Sequence, residues 1–326
     1  MTRGVVVGKF YPPHSGHKYL IDTAASQVDQ LDVLVCWHDR QSIPGSVRKG
    51  WLAEIHAGQS NVTVHSVWDF GDDNNPEAWA QYTINALGDR PDVVFSSEGY
   101  GEAFAHHLGA CHVCVDRQRR AFPVSGTLVR ADPLKYWDYF EPPVQAWYAL
   151  RIAVVGAEST GTTTLATALA EHYKTLWVPE YGRDYCQNLL VKGIPLDGYP
   201  WKTEQFIHIA QAQQAREDEY ARRCNRVLIC DTDALATGIW HERYRGTASE
   251  AVRSIAGSRS YALYVLTDCD ISFVQDGLRD GEHVRQWMTR RFREELQART
   301  TKWVCVSGTH QERMEVAVAA INGFLG

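Results

Sequence analysis

The sequence predicts an α/β protein built from two doubly wound parallel-sheet domains, and three observations carry that prediction. A length of 326 residues suits two domains of ordinary size. Short apolar runs alternate with helix-periodic segments, which is how βαβ units assemble parallel sheets. Twice, an apolar run enters a glycine-bracketed loop that leads straight into a helical segment, at residues 8–17 and again at 156–164. Doubly wound sheets bind ligands in such loops, at the carboxyl ends of their strands. A break at Asp138-Tyr139-Phe140-Glu141-Pro142-Pro143, where the proline pair is expected to continue neither helix nor central strand, separates domains 1–141 and 148–326.

In the first domain Val5-Val6-Val7 reads as a short buried strand and 18–25 as the helix after it. Strands are expected at 31–36, 62–67, 92–95 and 112–115, with helices at 47–56, 76–87 and 101–108. The connecting loop, Gly8-Lys9-Phe10-Tyr11-Pro12-Pro13-His14-Ser15-Gly16-His17, carries the chemistry. Gly8 and Gly16 permit close approach of backbone to ligand, and the prolines stiffen the path between them. His14 and His17 stand where imidazole donors and a helix dipole can both face an anion.

Gly8-x-Phe10-x-Pro12-x-His14-x-Gly16-His17 resembles the signature of the HIGH-type nucleotidyltransferases. Pro123-Val124-Ser125-Gly126-Thr127-Leu128-Val129-Arg130 is similar to the second element, I-S-x-T-x-x-R, of nicotinamide mononucleotide (NMN) adenylyltransferases. The resemblance implies attack of the NMN phosphate on the α-phosphorus of ATP, giving NAD and pyrophosphate. The nucleophile is already an anion, so catalysis rests on positioning and charge stabilisation rather than a general base. In that reading His14, His17 and Lys9 contact the ATP phosphates, while Ser125, Thr127 and Arg130 bind the β- and γ-phosphates with Mg²⁺ as the counterion. Other stretches resemble the NadR-type branch of the family. There Arg48 could reach a substrate phosphate, and Val115-Asp116-x-x-Arg119 leads into the second element or forms a structural ion pair. Trp79 either stacks on nicotinamide or fills the core.

The second domain opens with Arg151-Ile152-Ala153-Val154-Val155-Gly156-Ala157-Glu158-Ser159-Thr160-Gly161-Thr162-Thr163-Thr164. This follows the phosphate-cradling pattern G-x-x-x-x-G-K-[ST], with Thr162 in place of the lysine. After the loop, Leu176-Trp177-Val178-Pro179 runs to Glu180, and strands are expected at 226–230 and 261–266. An apolar strand ending at Asp231-Thr232-Asp233 suits a carboxylate near Mg²⁺. The polar stretch 270–281, followed by Arg285, Arg290, Arg291 and Arg293, reads either as a lid that closes arginines over phosphate or as a solvated basic helix.

This half is similar to the ribosylnicotinamide kinase domain of NadR-type proteins through Glu180-Tyr181-x-Arg183, Asp231-Thr232-Asp233 and Phe273-Val274-Gln275-Asp276-Gly277-x-Arg279-Asp280. The resemblance covers essentially the whole chain. It implies that Glu180 or Asp231 orients or deprotonates the riboside 5′-hydroxyl and that Thr163 and Asp231 hold Mg²⁺. Gly156, Ser159, Gly161, Thr162, Thr163 and Thr164 would cradle ATP, and Tyr181, Arg183, Asp233 and Arg279 would contact substrate or phosphate. Replacing the loop lysine by Thr162 removes a charge whose loss costs roughly 3–4 kcal/mol in such electrostatic sites. Three readings therefore stand: both activities, with the riboside kinase weakened; an adenylyltransferase joined to a nucleotide-sensing pseudokinase; or an NAD-responsive regulator.

Composition bounds these readings. A net charge of −6 gives no basic field for wrapping nucleic acid, and the first strand begins too early for a preceding helix-turn-helix, so DNA binding is not expected. No signal peptide pattern and no run of ~18–20 apolar residues is present. The 8 scattered cysteines read as buried free thiols of a cytoplasmic protein, and Cys111-His112-Val113-Cys114 as strand core rather than a metal site. A homo-oligomer acting on ATP, NMN, nicotinamide riboside and NAD is the expected assembly.

Overall fold

β1 (Arg3–Gly8) is a nearly continuous apolar run because both of its faces are covered. Val6 packs into a core cluster with Leu20, Ile21 and Val33, while Val5 joins Leu34, Val94 and Phe104 on the opposite side. Around β1 the chain adds α1 (Ser15–Ala25), β2 (Gln30–Trp37), α2 (Gly45–Ile55), β3 (Val62–Trp68), α3 (Pro76–Leu87), β4 (Val93–Ser96), α4 (Gly101–Leu108), β5 (Cys111–Cys114) and α5 (Gly126–Ala131). All pairings are parallel, in the order β3-β2-β1-β4-β5. The order reverses at β1, so the crevice beyond its carboxyl end is the ligand position of this topology. This is the computed structural model of the chain; it describes all residues except 73, 74, 280 and 326, and divides into two units, Met1–Gln145 and Ala146–Gly326.

α6 (Pro142–Tyr148) begins at the proline pair. Both prolines sit in its first turn, where a missing N–H costs nothing, so they start a helix rather than interrupt one.

The second unit comprises β6 (Leu150–Gly156), α7 (Thr162–His172), β7 (Trp177–Val178), α8 (Tyr181–Val191), α9 (Thr203–Ala221), β8 (Val227–Asp231), α10 (Ala234–Arg245), α11 (Glu250–Gly257), β9 (Leu263–Thr267), α12 (Arg285–Gln297), β10 (Lys302–Val306) and α13 (His310–Leu325). Its sheet is again parallel, in the order β10-β9-β6-β8-β7, with the reversal at β6. The loop that follows β6 therefore lies at the second switch point.

The cysteines are not uniformly core. Cys36, Cys224 and Cys230 are buried, but Cys111 and Cys114 are exposed because β5 is an edge strand. No described helix is long and apolar enough to cross a membrane.

Candidate active sites at the two switch points

In the first unit the loop after β1 is fixed by its own imidazoles. His14 is the N-cap of α1, and its Nδ1 accepts from Gly16 N at 3.2 Å. His17 Nδ1 accepts from His14 N at 3.3 Å, closing a reciprocal capping box. A ring nitrogen that accepts a backbone N–H carries no proton, so the proton of each neutral imidazole resides on Nε2. Burial, reinforced by the Arg119 charge, lowers the His14 pKa to about 4. Burial, then His14 and Arg119, holds His17 well below the usual imidazole range. The pair is therefore neutral at pH 7, and it offers hydrogen-bond donors rather than cations to an anion. Phe10, buried, meets the His17 ring edge-on at 5.0 Å.

The cations stand around these imidazoles. Lys9 Nζ lies 3.5 Å from the buried Asp69 carboxylate. Arg119 pairs with Glu98 at 2.7 Å on an exposed rim, while Asp116 accepts from the backbone of Arg120 and Ala121. Ser125 caps α5, accepting from Leu128 N, and Arg130 donates to the Tyr11 carbonyl and reaches Thr127 Oγ1 at 3.5 Å. Arg130 also lies over the Tyr11 ring, 4.6 Å from its centroid. Tyr11 thus ties the second motif to the first. The sequence reading missed it because it occupies a variable position of the signature.

Two expectations change here. Arg48 is fully buried and donates to the carbonyls of Lys9 and Cys36 and to the Gln41 side chain. It braces the loop from behind instead of reaching a substrate phosphate. Trp79 stacks on Phe70 at 4.3 Å and donates through Nε1 to Asp72 O, so one ring face is already covered.

In the second unit the loop between β6 and α7 is shaped by close approach and by a left-handed turn. A Cβ on Gly156 would lie 2.2 Å from Thr267 Oγ1, and Gly161 has φ +85°. Ser159 is also left-handed, at φ +58°. Arg285 donates to Ser159 O at 3.2 Å and Arg313 to Thr160 O at 2.6 Å. Carbonyls held outward in this way leave the loop amides and the α7 N-terminus for an anion.

Opposite the loop, Thr163 Oγ1 donates to Asp231 at 2.6 Å, and the Thr162 hydroxyl exerts a weaker pull on the same carboxylate. Burial raises the Asp231 pKa to about 6 against the pull of both hydroxyls. Burial, then the Asp231 charge, raises Glu180 to about 8. Glu180, Arg183 and Arg279 line one cavity with Gly156, Ser159, Thr162 and Thr163. The same cavity is also lined by the aromatic residues Trp201, Phe206, Trp240 and Tyr244, none of which had a motif to mark it.

Several predicted contacts lie elsewhere. Asp233 is fully buried, capping α10 through Ala236 N and accepting from Tyr264 Oη at 2.7 Å, so its carboxylate is used in structure. Tyr181 engages His208 at 3.1 Å and lies under Arg216, outside the cavity lining. Thr164 is exposed and also outside it. Of the expected lid arginines, Arg291 pairs with Glu242, Glu294 and Glu295, and Arg293 with Asp268, as in a structural helix. Segment 270–281 does lie on the loop, since Val274 N donates to Ser159 Oγ at 2.8 Å and Gly281 N to Glu158 at 2.6 Å. Asp280, part of the predicted motif, lies outside the described residues.

Comparison with known proteins agrees with this division. Residues 4–71 match a family model described as the citrate lyase ligase C-terminal domain. Residues 151–313, half of the chain, match one described as an AAA domain. A crystal structure of NadR protein in complex with NAD and AMP-PNP superposes over 100% of this chain and 96% of its own, with TM-score 0.78 and 19% identity. NadR protein in complex with NR gives TM-score 0.82 at 20% identity over the same shares. At such identity these likenesses speak for the fold. The sequence relatives reach further. The trifunctional NAD biosynthesis/regulator protein NadR of Escherichia coli is 29% identical over 85% of this chain and 72% of its own. Its Salmonella typhimurium counterpart is 30% identical over 85% and 71%. The chain belongs to the NadR family.

Proposed function

We propose that the chain makes NAD in two ATP-dependent steps, phosphorylating nicotinamide riboside in the second unit and adenylylating the resulting NMN in the first. The observation that supports this reading is that a glycine-bearing loop followed by a helix lies at the switch point of each sheet. In the first step Glu180 takes the proton of the riboside 5′-hydroxyl. Its carboxyl faces the cavity and its raised pKa suits a base working near neutrality. Thr163 and Asp231, already in contact, are a hydroxyl and a carboxylate suited to Mg²⁺, which supplies charge neutralisation on the nucleotide phosphates when bound. In the second step His14 and His17 donate through Nε2 to phosphate oxygens, and Arg130 adds a fixed charge. The relatives described as acting in NAD biosynthesis support this assignment. The free thiols at all 8 cysteines support a cytoplasmic setting.

The test of the second step is product chromatography after incubation with NMN and Mg-ATP. The native chain is expected to release NAD. His17→Ala is expected to lower the rate at least ~10²-fold, as loss of a transition-state donor does, with a chain that remains folded by circular dichroism despite the lost cap. NAD formation at the native rate by the variant would remove His17 from the mechanism.

A further inference from the structure

We propose that Arg279 supplies, from segment 270–281, the positive charge that Thr162 leaves out of the phosphate loop. The inference rests on the kinase reading of the second unit and names the group that makes that reaction workable.

Thr162 cannot serve the lysine's purpose, since its side chain is short and neutral. Among the described residues that line the cavity, only Arg183 and Arg279 are cationic. The other arginines near the loop are occupied. Arg285 and Arg313, both under a tenth exposed, hold its carbonyls from outside. Arg243 pairs with Glu158 at 3.2 Å and lies over the Trp240 and Tyr244 rings.

The two cavity arginines differ in aim. Arg183, on α8, points its charge at Glu180 and Asp231, lowering both carboxyl pKa values, and pairs with Asp276 at 2.5 Å. Arg279 is fixed beside the loop, its Nη1 donating to Val274 O of its own segment at 2.5 Å and reaching Ser159 Oγ of the loop at 3.4 Å. Its Nε rests 3.3 Å from the same Asp276 carboxylate, which braces the guanidinium from behind. Nη2 has no partner among the described residues. A guanidinium held by two of its nitrogens, with the third uncommitted, presents a preorganised donor to a phosphate oxygen. In the transfer, the riboside 5′-oxygen bonds to the γ-phosphorus while the bond to the β,γ-bridging oxygen breaks. The electron pair stays on ADP and the hydroxyl proton passes to Glu180. Arg279 stabilises the charge that gathers on the departing phosphate.

The experiment measures kcat and KM for ATP in riboside phosphorylation by the full chain, with NAD formation from NMN as the control for folding. Arg279→Ala is expected to lower kcat ~10²–10³-fold and leave the control unchanged. The decisive variant is Arg279→Ala with Thr162→Lys. If Arg279 stands in for the loop lysine, restoring that lysine recovers at least ~10-fold of the lost rate. Rates for Arg279→Ala within threefold of native, no recovery in the double variant, or recovery by Thr162→Lys of Arg183→Ala instead would each overturn the proposal while leaving the kinase reading in place. A native chain that leaves riboside unphosphorylated would remove the kinase reading, and this proposal with it.

Discussion

At the scale of single residues, environment changes what a correctly identified side chain does. The sequence marks His14 and His17 as anion contacts, but only the backbone bonds to their Nδ1 atoms and their burial make them neutral donors. Arg48 and Asp233 carry the right charge for substrate binding and are spent inside the protein. No local pattern separates a buried arginine that braces a loop from an exposed one that grips phosphate, so that distinction was not legible. Glu180 was legible as a motif residue, and burial beside Asp231 gives it a working pKa of about 8. Riboside phosphorylation is therefore expected to rise with pH through a midpoint near 8 and to level off about a unit higher, as the carboxyl loses its proton. Glu180→Gln is expected to remove that limb along with most of the rate. The stability effect has the opposite sign. Because the folded state holds the Glu180 proton more tightly than the unfolded chain, its contribution is full at low pH and is lost as pH rises from 4.5 to 8.

At the scale of elements, strands and loops with continuous apolar runs or glycine punctuation were legible, and long mixed helices were not. The β-α alternation of the first unit is visible because its buried positions are mostly aliphatic. α9 went unread because Gln213 and Glu217 interrupt its buried stripe of Phe206, Ile209 and Ala210. β10 and α13 were not identified either, although Arg313, on α13, anchors the phosphate loop. The loop itself tests the element-level account. Gly161 caps α7 in the left-handed region, where a Cβ has room (its nearest neighbour is Ile271 Cδ1 at 3.7 Å) but the backbone is strained. Gly161→Ala should cost roughly 1–2 kcal/mol. A calorimetric scan should show a lower melting temperature, and riboside phosphorylation should fall while NAD formation from NMN persists. Equal loss of both activities would mean that the loop serves more than the second site.

At the scale of the whole molecule, the two units repeat one physical solution. Each parallel sheet leaves a crevice where its strand order reverses, and each fills that crevice with backbone amides and side chains suited to phosphate. The product of one site has the chemistry the other requires, since a riboside gains the phosphate that then attacks ATP. The most direct measurement is a time course of the purified chain with nicotinamide riboside and Mg-ATP, resolving riboside, NMN and NAD. Two catalytic sites predict that NMN appears first and NAD follows, with ADP accompanying the first step and pyrophosphate the second. Riboside that remains unconverted while added NMN becomes NAD would contradict the two-step account.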